Sequence, residues 1–234
     1  MKRKLVVLSG AGISAESGFA TFRDSGGLWE NHPVERVATP EGWAADPDYV
    51  NNFYNGLRQQ LVTAQPNRGH QLLADLEEEW DVTIITQNVD DLHERAGSSH
   101  VVHLHGELMK VTSSQHPDNP DCITTLSAPH LDVLPGQRAA DDSLMRPYIV
   151  WFGEAVPMIE HAAELVAQAD VFVIVGTSLV VYPAAGLVHY APQDCPIYLI
   201  DPNEVKVPSS KRITFIQQGA AAGIAQLCAL LDNS

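Results

Sequence analysis

Two histidines, His103 and His105, alternate around Leu104 just ahead of Gly106. Alternate residues of an extended run share one face, so both imidazoles point the same way if the segment is a strand. Histidine has the side chain whose ordinary pKa lies closest to neutral pH, which suits it to proton transfer. An amide and a carboxylate, Asn88 and Asp90, stand two residues apart in Thr86-Gln87-Asn88-Val89-Asp90-Asp91-Leu92-His93. Directed into a crevice, such a pair can bind ribose hydroxyls and a carboxamide. A third group is Gly10-Ala11-Gly12-Ile13-Ser14-Ala15-Glu16-Ser17-Gly18, which follows an apolar run. A glycine turn between a strand and a helix offers backbone N–H groups and a helix N-terminus to a pyrophosphate. Phe22 and Arg23 lie just beyond it, an aromatic and a cation able to cover a cofactor and neutralise its charge. Taken singly, these features also fit an ordinary strand–helix turn, a polar helix cap and structural histidines. The glycine spacing is not that of a dinucleotide fingerprint.

The elements that must position these residues can be read from the hydrophobic pattern. Short Val- and Ile-rich runs at 5–8, 82–85, 171–175 and 197–200 are each followed by Gly, Thr, Ser, Asn or Asp, and read as buried parallel strands. Helical patterns lie between them, at 69–80, at 157–168 and at 221–231. This alternation predicts an α/β fold, a doubly wound parallel sheet whose ligands bind beyond the carboxyl ends of the strands. Residues 30–65 are polar and helical-looking. Residues 109–147 are rich in Pro, Asp, Ser and Gln and show no convincing strand. The two stretches are read as a small second module.

Composition narrows the function. The chain has 234 residues, 45% of them hydrophobic, enough for a packed core. Fourteen Lys plus Arg against 29 Asp plus Glu give a net charge of −15. Such a surface repels nucleic-acid backbones and anionic lipid and attracts basic protein segments. Cys122, Cys195 and Cys228 are far apart and form no CxxC pair. A reducing, cytoplasmic setting follows more simply than a disulfide framework. The apolar run after Met1-Lys2-Arg3-Lys4 is too short for a secretory core and reads as a buried first strand. No run approaches a membrane span.

In order along the chain, five segments resemble the motifs of the sirtuins, NAD-dependent protein deacylases. They are GAGISAESGFATFRDSGGLW at 10–29, TQNVDDLH at 86–93, VVHLHGE at 101–107, RPYIVWFGE at 146–154 and GTSLVVYPA at 176–184. The resemblance implies one domain over residues 1–234. Its Rossmann-like NAD-binding part would comprise 1–29, 66–108 and 148–234, with a small module at 30–65 and 109–147. It implies NAD as cosubstrate and acyl-lysine proteins as substrates. His105 would be the catalytic base, and Asn88 would hold water and ribose. Cofactor contacts would come from Gly10, Ala11, Gly12, Ser14, Phe22, Arg23, Trp29, Gln87, Asn88, Asp90, Gly176, Thr177 and Ser178. Asp201, Pro202, Asn203 and Ala221 would complete them on the adenosine side. Phe152, Gly153, Glu154 and Val181 would line the substrate groove by strand addition. The acyl oxygen would displace nicotinamide, and His105 would then activate a ribose hydroxyl against the acyl carbon, giving free lysine and O-acyl-ADP-ribose. By the same reading, His103 and His93 are structural donors.

The chain departs from the sirtuin pattern in two places. Sirtuins usually carry two CxxC pairs for a structural zinc before the WFGE loop. Between Glu107 and Arg146 this chain offers only Cys122, His116 and His130, too few for a closed four-ligand site. No metal is expected, and the insertion module should be metal-free. The subgroup that removes succinyl and malonyl groups usually carries a Tyr-x-x-Arg pair. Here Tyr54 is followed by Leu57, and the arginine stands one residue later, at Arg58. Tyr54 and Arg58 remain candidate substrate-binding residues, although a solvated surface arginine is the favoured reading of Arg58. Two other functions stay open on the same scaffold, mono-ADP-ribosyl transfer to protein and a non-catalytic NAD-binding module. Hydride transfer is disfavoured.

Overall fold

Valine and isoleucine runs that are apolar on both sides need cover on both faces of a sheet. The computed structural model, which describes residues 2–19, 32–205 and 213–232, provides it. In chain order the strands are β1 (Lys4–Ser9), β2 (Asp81–Thr86), β3 (Val101–His103), β4 (Gly106–Ser113), β5 (Thr124–Thr125), β6 (Met145–Ile149), β7 (Val171–Val175), β8 (Ile197–Ile200) and β9 (Ile213–Ile216). The helices are α1 (Val34–Val37), α2 (Pro40–Ala45), α3 (Pro47–Leu61), α4 (Arg68–Asp75), α5 (Leu92–Ala96), α6 (Ile159–Val166) and α7 (Ala220–Leu231).

Six strands form one sheet in the order β3-β2-β1-β7-β8-β9, and every pair is parallel. The order in which strands are added reverses between β1 and β7, the topological switch point of a doubly wound fold. On one face Leu5, Val7, Ile84 and Val173 pack against Leu73 of α4 and Ile224, Leu227 and Leu231 of α7. On the other, Val6, Leu8, Phe172 and Ile174 meet Ala162 and Val166 of α6 and the 3-10 helix Ala184–Tyr190. Each such side chain contributes about 1.5–3 kcal/mol by leaving water. The four anticipated strands are all present. β3 and β9 complete the sheet; the strand suggested by the alternation of His103 and His105 is present as β3 but ends at His103, and β9, with no continuous apolar run, lies outside the expectation. No helix among the described residues is long and apolar enough to cross a membrane.

The second layer is a helical cluster on a small antiparallel sheet, β5-β4-β6. The expectation of no strand within 109–147 is therefore corrected. β4 extends through Ser113 and β6 begins at Met145, because Val111 and Met145 close a small apolar cluster with Val133. Helix α3 starts cleanly, with Asp46 accepting from Tyr49 N at 3.0 Å and Pro47 at its first position. Its apolar side, Val50, Phe53, Tyr54, Leu57 and Leu61, packs with Leu92, Leu108, Ile149 and Trp151.

A polar stripe on α3 ties down the insertion. Asn51 Nδ2 donates to Met145 O (3.1 Å). Asn55 pairs both ways with the Val133 backbone, at 3.0 and 2.9 Å. Arg58 Nε donates to Leu108 O (2.8 Å) and Nη1 to Asn55 Oδ1 (2.8 Å). Arg58 is fully buried, so the solvated-surface reading of this residue is wrong. Burial brings its pKa down to about 10, with Asp132 opposing the shift. The stripe at 51, 55 and 58 follows the i, i+4, i+7 spacing of one helix face, and that face meets chain rather than water. A second tie is Ser113, whose hydroxyl donates to Asp141 Oδ2 (2.6 Å) and accepts from the N–H groups of Gln115 and His116 (3.0 and 2.8 Å).

Between α4 and α5 two imidazoles meet edge to face, His70 and His93, with centroids 4.9 Å apart. Burial lowers the pKa of His70 to about 4 and that of His93 well below its ordinary value, the latter helped by His70 and His103. Both are neutral in the folded protein, whereas the unfolded chain protonates them near ~6.5. Their contribution to stability is complete above that pH and declines as pH falls toward 4, because the unfolded state then binds more protons. His70→Gln, which keeps a helix-start acceptor, is expected to lose less melting temperature than wild type between pH 7 and pH 4.5. Parallel melting curves across that range would contradict the assignment.

Candidate active site at the strand ends

The glycine turn after β1 does not open a long helix. Two 3-10 turns, Ala11–Ile13 and Ala15–Ser17, follow one another and end at Gly18. The turn is built against the end of β7. Gly10 N donates to Val175 O (3.0 Å) and Gly12 N to Gly176 O (2.9 Å). Gly176 has φ 62°, and a Cβ there would lie 2.4 Å from Ile13 N, so no side chain fits. Asn67, the cap of α4, donates to Ile13 O (2.7 Å) and Ser17 Oγ (2.9 Å) from the other side.

The loop from β2 into α5 converges on this turn. Asn88 Nδ2 donates to Ser14 Oγ (3.1 Å) and Gly10 O (3.2 Å), and Ser14 Oγ donates to Asp90 Oδ2 (2.9 Å). Asp90 Oδ1 also accepts from Leu92 N (3.1 Å), so the carboxylate starts α5 as well as facing the turn. Burial raises the Asp90 pKa, opposed by the bonds from Leu92 and Ser14. Gln87 Nε2 reaches across to Thr177 Oγ1 (2.9 Å), joining the ends of β2 and β7. Beneath lies a buried polar chain absent from the sequence reading. Ser9 Oγ donates to Thr86 Oγ1 (2.9 Å) and lies 2.9 Å from His93 Nε2, and Thr86 Oγ1 accepts from Asn88 N (3.0 Å).

His105 stands where the chain leaves the large sheet for the small one. Leu104 N still bonds β2, at Thr86 O (2.9 Å), and Val150 N bonds His105 O (3.0 Å). Gly106 then turns with φ 83°, and a Cβ there would meet Tyr148 O at 2.1 Å. His105 Nδ1 lies 3.0 Å from Gln87 O. A carbonyl can only accept, so the ring proton sits on Nδ1 and Nε2 carries the lone pair. Burial lowers the His105 pKa, opposed by the Gln87 bond. The neutral imidazole therefore prevails near pH 7, the form a general base needs.

The groove residues are placed differently. Phe152 is 45% exposed and Val181 half-buried, and Gly153 has φ 93°. Glu154 does not face solvent freely. Its carboxylate takes Arg146 Nη1 and Nη2 (2.7 and 3.1 Å) and Trp151 N (2.8 Å), and Arg146 lies 3.4 Å above the Trp151 ring. Tyr54 is buried, its hydroxyl accepting from Trp151 Nε1 at 3.2 Å. Ser178 is exposed after Thr177, and Asp201 closes on Asn203 N (2.8 Å) at the end of β8, beside Pro202. Ala221 N donates to Glu16 Oε1 (3.2 Å), a partner the sequence reading did not single out. Phe22, Arg23 and Trp29 lie outside the described residues. Among the described residues, no group of three or more His, Cys, Asp or Glu could hold a metal ion, and Cys122 is a free, buried thiol.

Known proteins share this arrangement. Residues 10–183 match the Sir2 family. The chain is 58% identical over 229 residues to an NAD-dependent protein deacylase of Bacteroides thetaiotaomicron, covering 98% of each. It is 49% identical over 225 residues to an NAD-dependent protein deacylase of Helicobacter pylori, covering 96% of each. A solved Sir2 homologue–NAD complex superposes with a TM-score of 0.86 at 38% identity, covering 99% of this chain and 90% of that one. Sir2 bound to acetylated peptide superposes with a TM-score of 0.78 at 28% identity, covering 100% and 95%. Strand order, the residues gathered at the strand ends and a match over most of the sequence agree, and the chain belongs to the Sir2 family, the sirtuins.

Proposed function

We propose that this chain is an NAD-dependent protein-lysine deacylase with His105 as its general base. The observation that carries the reading is the fixed tautomer of His105, neutral through burial and with Nε2 unpartnered among the described residues at the carboxyl edge of the sheet. The donor set fits NAD. Hydroxyls of Ser14 and Thr177, amides of Gln87 and Asn88 and the carboxylates of Asp90 and Asp201 lie along strand ends at the switch point, where dinucleotides bind. NAD would supply the ribose that accepts the acyl group and nicotinamide as the leaving group. The chain's own part is to orient and to move one proton. Asn88 and Asp90 would hold the ribose and carboxamide, with Gly10, Ala11 and Gly12 at the pyrophosphate. Phe152, Gly153 and Val181 would bound the lysine channel, and Nε2 of His105 would take the hydroxyl proton. The relatives named deacylases and the peptide-bound Sir2 structure support a protein substrate. A net charge of −15 favours basic protein segments over nucleic acid or anionic lipid, and separated cysteines suit the cytoplasm.

Within the family the chain is read as a relative of the acidic-acyl deacylases that works on neutral acyl groups without zinc. Leu57 is buried in the cluster of Tyr54 and Trp151, and the Arg58 guanidinium is buried with Nε on Leu108 O and Nη1 on Asn55, while its Nη2 has no hydrogen-bond partner among the described residues. With Arg58 fully buried, a carboxylate entering beside Tyr54 would lack an accessible cationic partner, which costs several kcal/mol. The residues between Glu107 and Arg146 do not fit a zinc site, and α3 and Ser113 supply the ties instead.

His105→Ala is expected to lose about 10²–10⁴-fold in turnover of acetyl-lysine peptide while retaining NAD affinity by calorimetry; full turnover would remove His105 from the mechanism. Leu57→Arg should raise succinyl-lysine turnover. Arg58→Ala should leave acyl preference unchanged and destabilise the fold by about 2–4 kcal/mol. A succinyl preference in wild type that vanished in Arg58→Ala would reverse this reading. Metal analysis of purified protein should find no stoichiometric zinc, and chelator should leave the melting temperature unmoved. One tightly held zinc per chain would refute it.

A further inference from the structure

His103 does more than its neighbours require of a structural donor. Its two ring nitrogens face two acceptors. Nδ1 lies 3.2 Å from the Asn88 carbonyl oxygen, and Nε2 lies 2.7 Å from Glu94 Oε1. A neutral imidazole has one N–H and can satisfy only one of them; the doubly protonated ring satisfies both. Two residues on, in the bend between β3 and β4, His105 bonds the preceding carbonyl, Gln87 O, and its Nε2 has no hydrogen-bond partner among the described residues. Adjacent carbonyls of the active-site loop are thus each faced by a histidine ring nitrogen, one with a carboxylate on its other nitrogen and one without. The loop carries Asn88, whose side chain reaches Ser14 and Gly10.

We propose that His103 is a positioning residue that acts as a cation, bridging Glu94 to the Asn88 carbonyl and so fixing the Asn88 loop for His105. Carboxylates sustain that charge, Glu94 from α5, Glu107 from β4 and Asp90 from the loop itself; Lys110 of β4, a like charge, is paired with Glu107, and His93 of α5 is neutral. Burial works against the charge, yet the carboxylate of Glu94 prevails and raises the His103 pKa, while burial lowers that of His105. Neighbouring groups whose pKa values are driven apart commonly divide acid and base duties. The competent form has His105 neutral and His103 charged. Activity therefore declines as pH falls through the lowered pKa of His105, and again as pH rises through the raised pKa of His103. Above the second point the bridge loses a proton and one of its two bonds. The role deepens the deacylase reading and rests on it.

The test pairs NMR of the unliganded protein with pH–rate profiles on acetyl-lysine peptide and NAD. The His103 ring resonance, assigned by its loss in His103→Gln, should titrate above the ordinary ~6.5. The Asn88 carbonyl shift should follow it. Glu94→Gln, a change at a partly exposed site, should lower both midpoints and move the alkaline limb of kcat by the same amount. His103→Ala should lower kcat roughly 10- to 100-fold with peptide KM nearly unchanged. His103→Gln, which keeps one N–H, should recover part of that loss and abolish the limb. A His103 resonance titrating at or below ~6.5 overturns the proposal whatever the turnover. So does an alkaline limb indifferent to Glu94→Gln. Absence of any NAD-dependent deacylation in wild type would instead defeat the deacylase reading, with the NMR arm still deciding whether His103 is the cation.

Discussion

The contact between the glycine turn after β1 and the backbone at Gly176 is the constraint around which the site is arranged. Two bonds, Gly10 N to Val175 O and Gly12 N to Gly176 O, lock the turn onto the end of β7. Only a residue without Cβ can take Gly176's conformation at that approach. The turn then presents Ser14 and the Gly10 carbonyl to Asn88, and Ser14 to Asp90, so three strand ends are connected through one short segment. Shifting any one of β1, β2 or β7 by a residue would break the set, because the register is shared along the sheet.

From that constraint the division of labour among polar groups follows. Buried polar atoms must find partners, and here they find them between elements rather than within them. Ser9, Thr86 and His93 form a chain under the site, and Gln87 spans to Thr177. The segment from His103 to His105 then needs little extra machinery. His105 and His103 are separated by one residue, yet one faces a single carbonyl and the other a carbonyl and a carboxylate. Burial lowers the pKa of His105, whereas at His103 the Glu94 carboxylate outweighs burial, so identical side chains are shifted in opposite directions.

The small module obeys the same logic. Its loops would be poorly held by their own short strands, and an apolar cluster of Val111, Val133 and Met145 is modest. The side-chain amides of Asn51 and Asn55 and the guanidinium of Arg58 bond carbonyls scattered over residues 108–145, so one rigid helix organises three separate stretches. A buried arginine is tolerated there because Nε meets the Leu108 carbonyl and Nη1 the Asn55 amide oxygen, although Nη2 has no partner among the described residues, and its charge is offset in part by Asp132.

Local pattern alone was enough for β1, β2, β7 and β8, since a run buried on both faces must be apolar throughout, and for the residues gathered at their carboxyl ends. Resemblance added the order of the five motifs and the bet on His105. β9 was illegible because a short strand of mixed polarity owes its form to neighbours already in place. So was the pairing of β4 with β6, which brings residues 106–113 and 145–149 together across an intervening loop. Arg58 shows the limit most plainly. Its spacing from Tyr54 put it near the right helix face, but nothing local says whether that face meets water or chain. Only the packing of Leu108 and Asn55 around it determined that the guanidinium is buried, because burial is a property of the whole assembly and not of the residue.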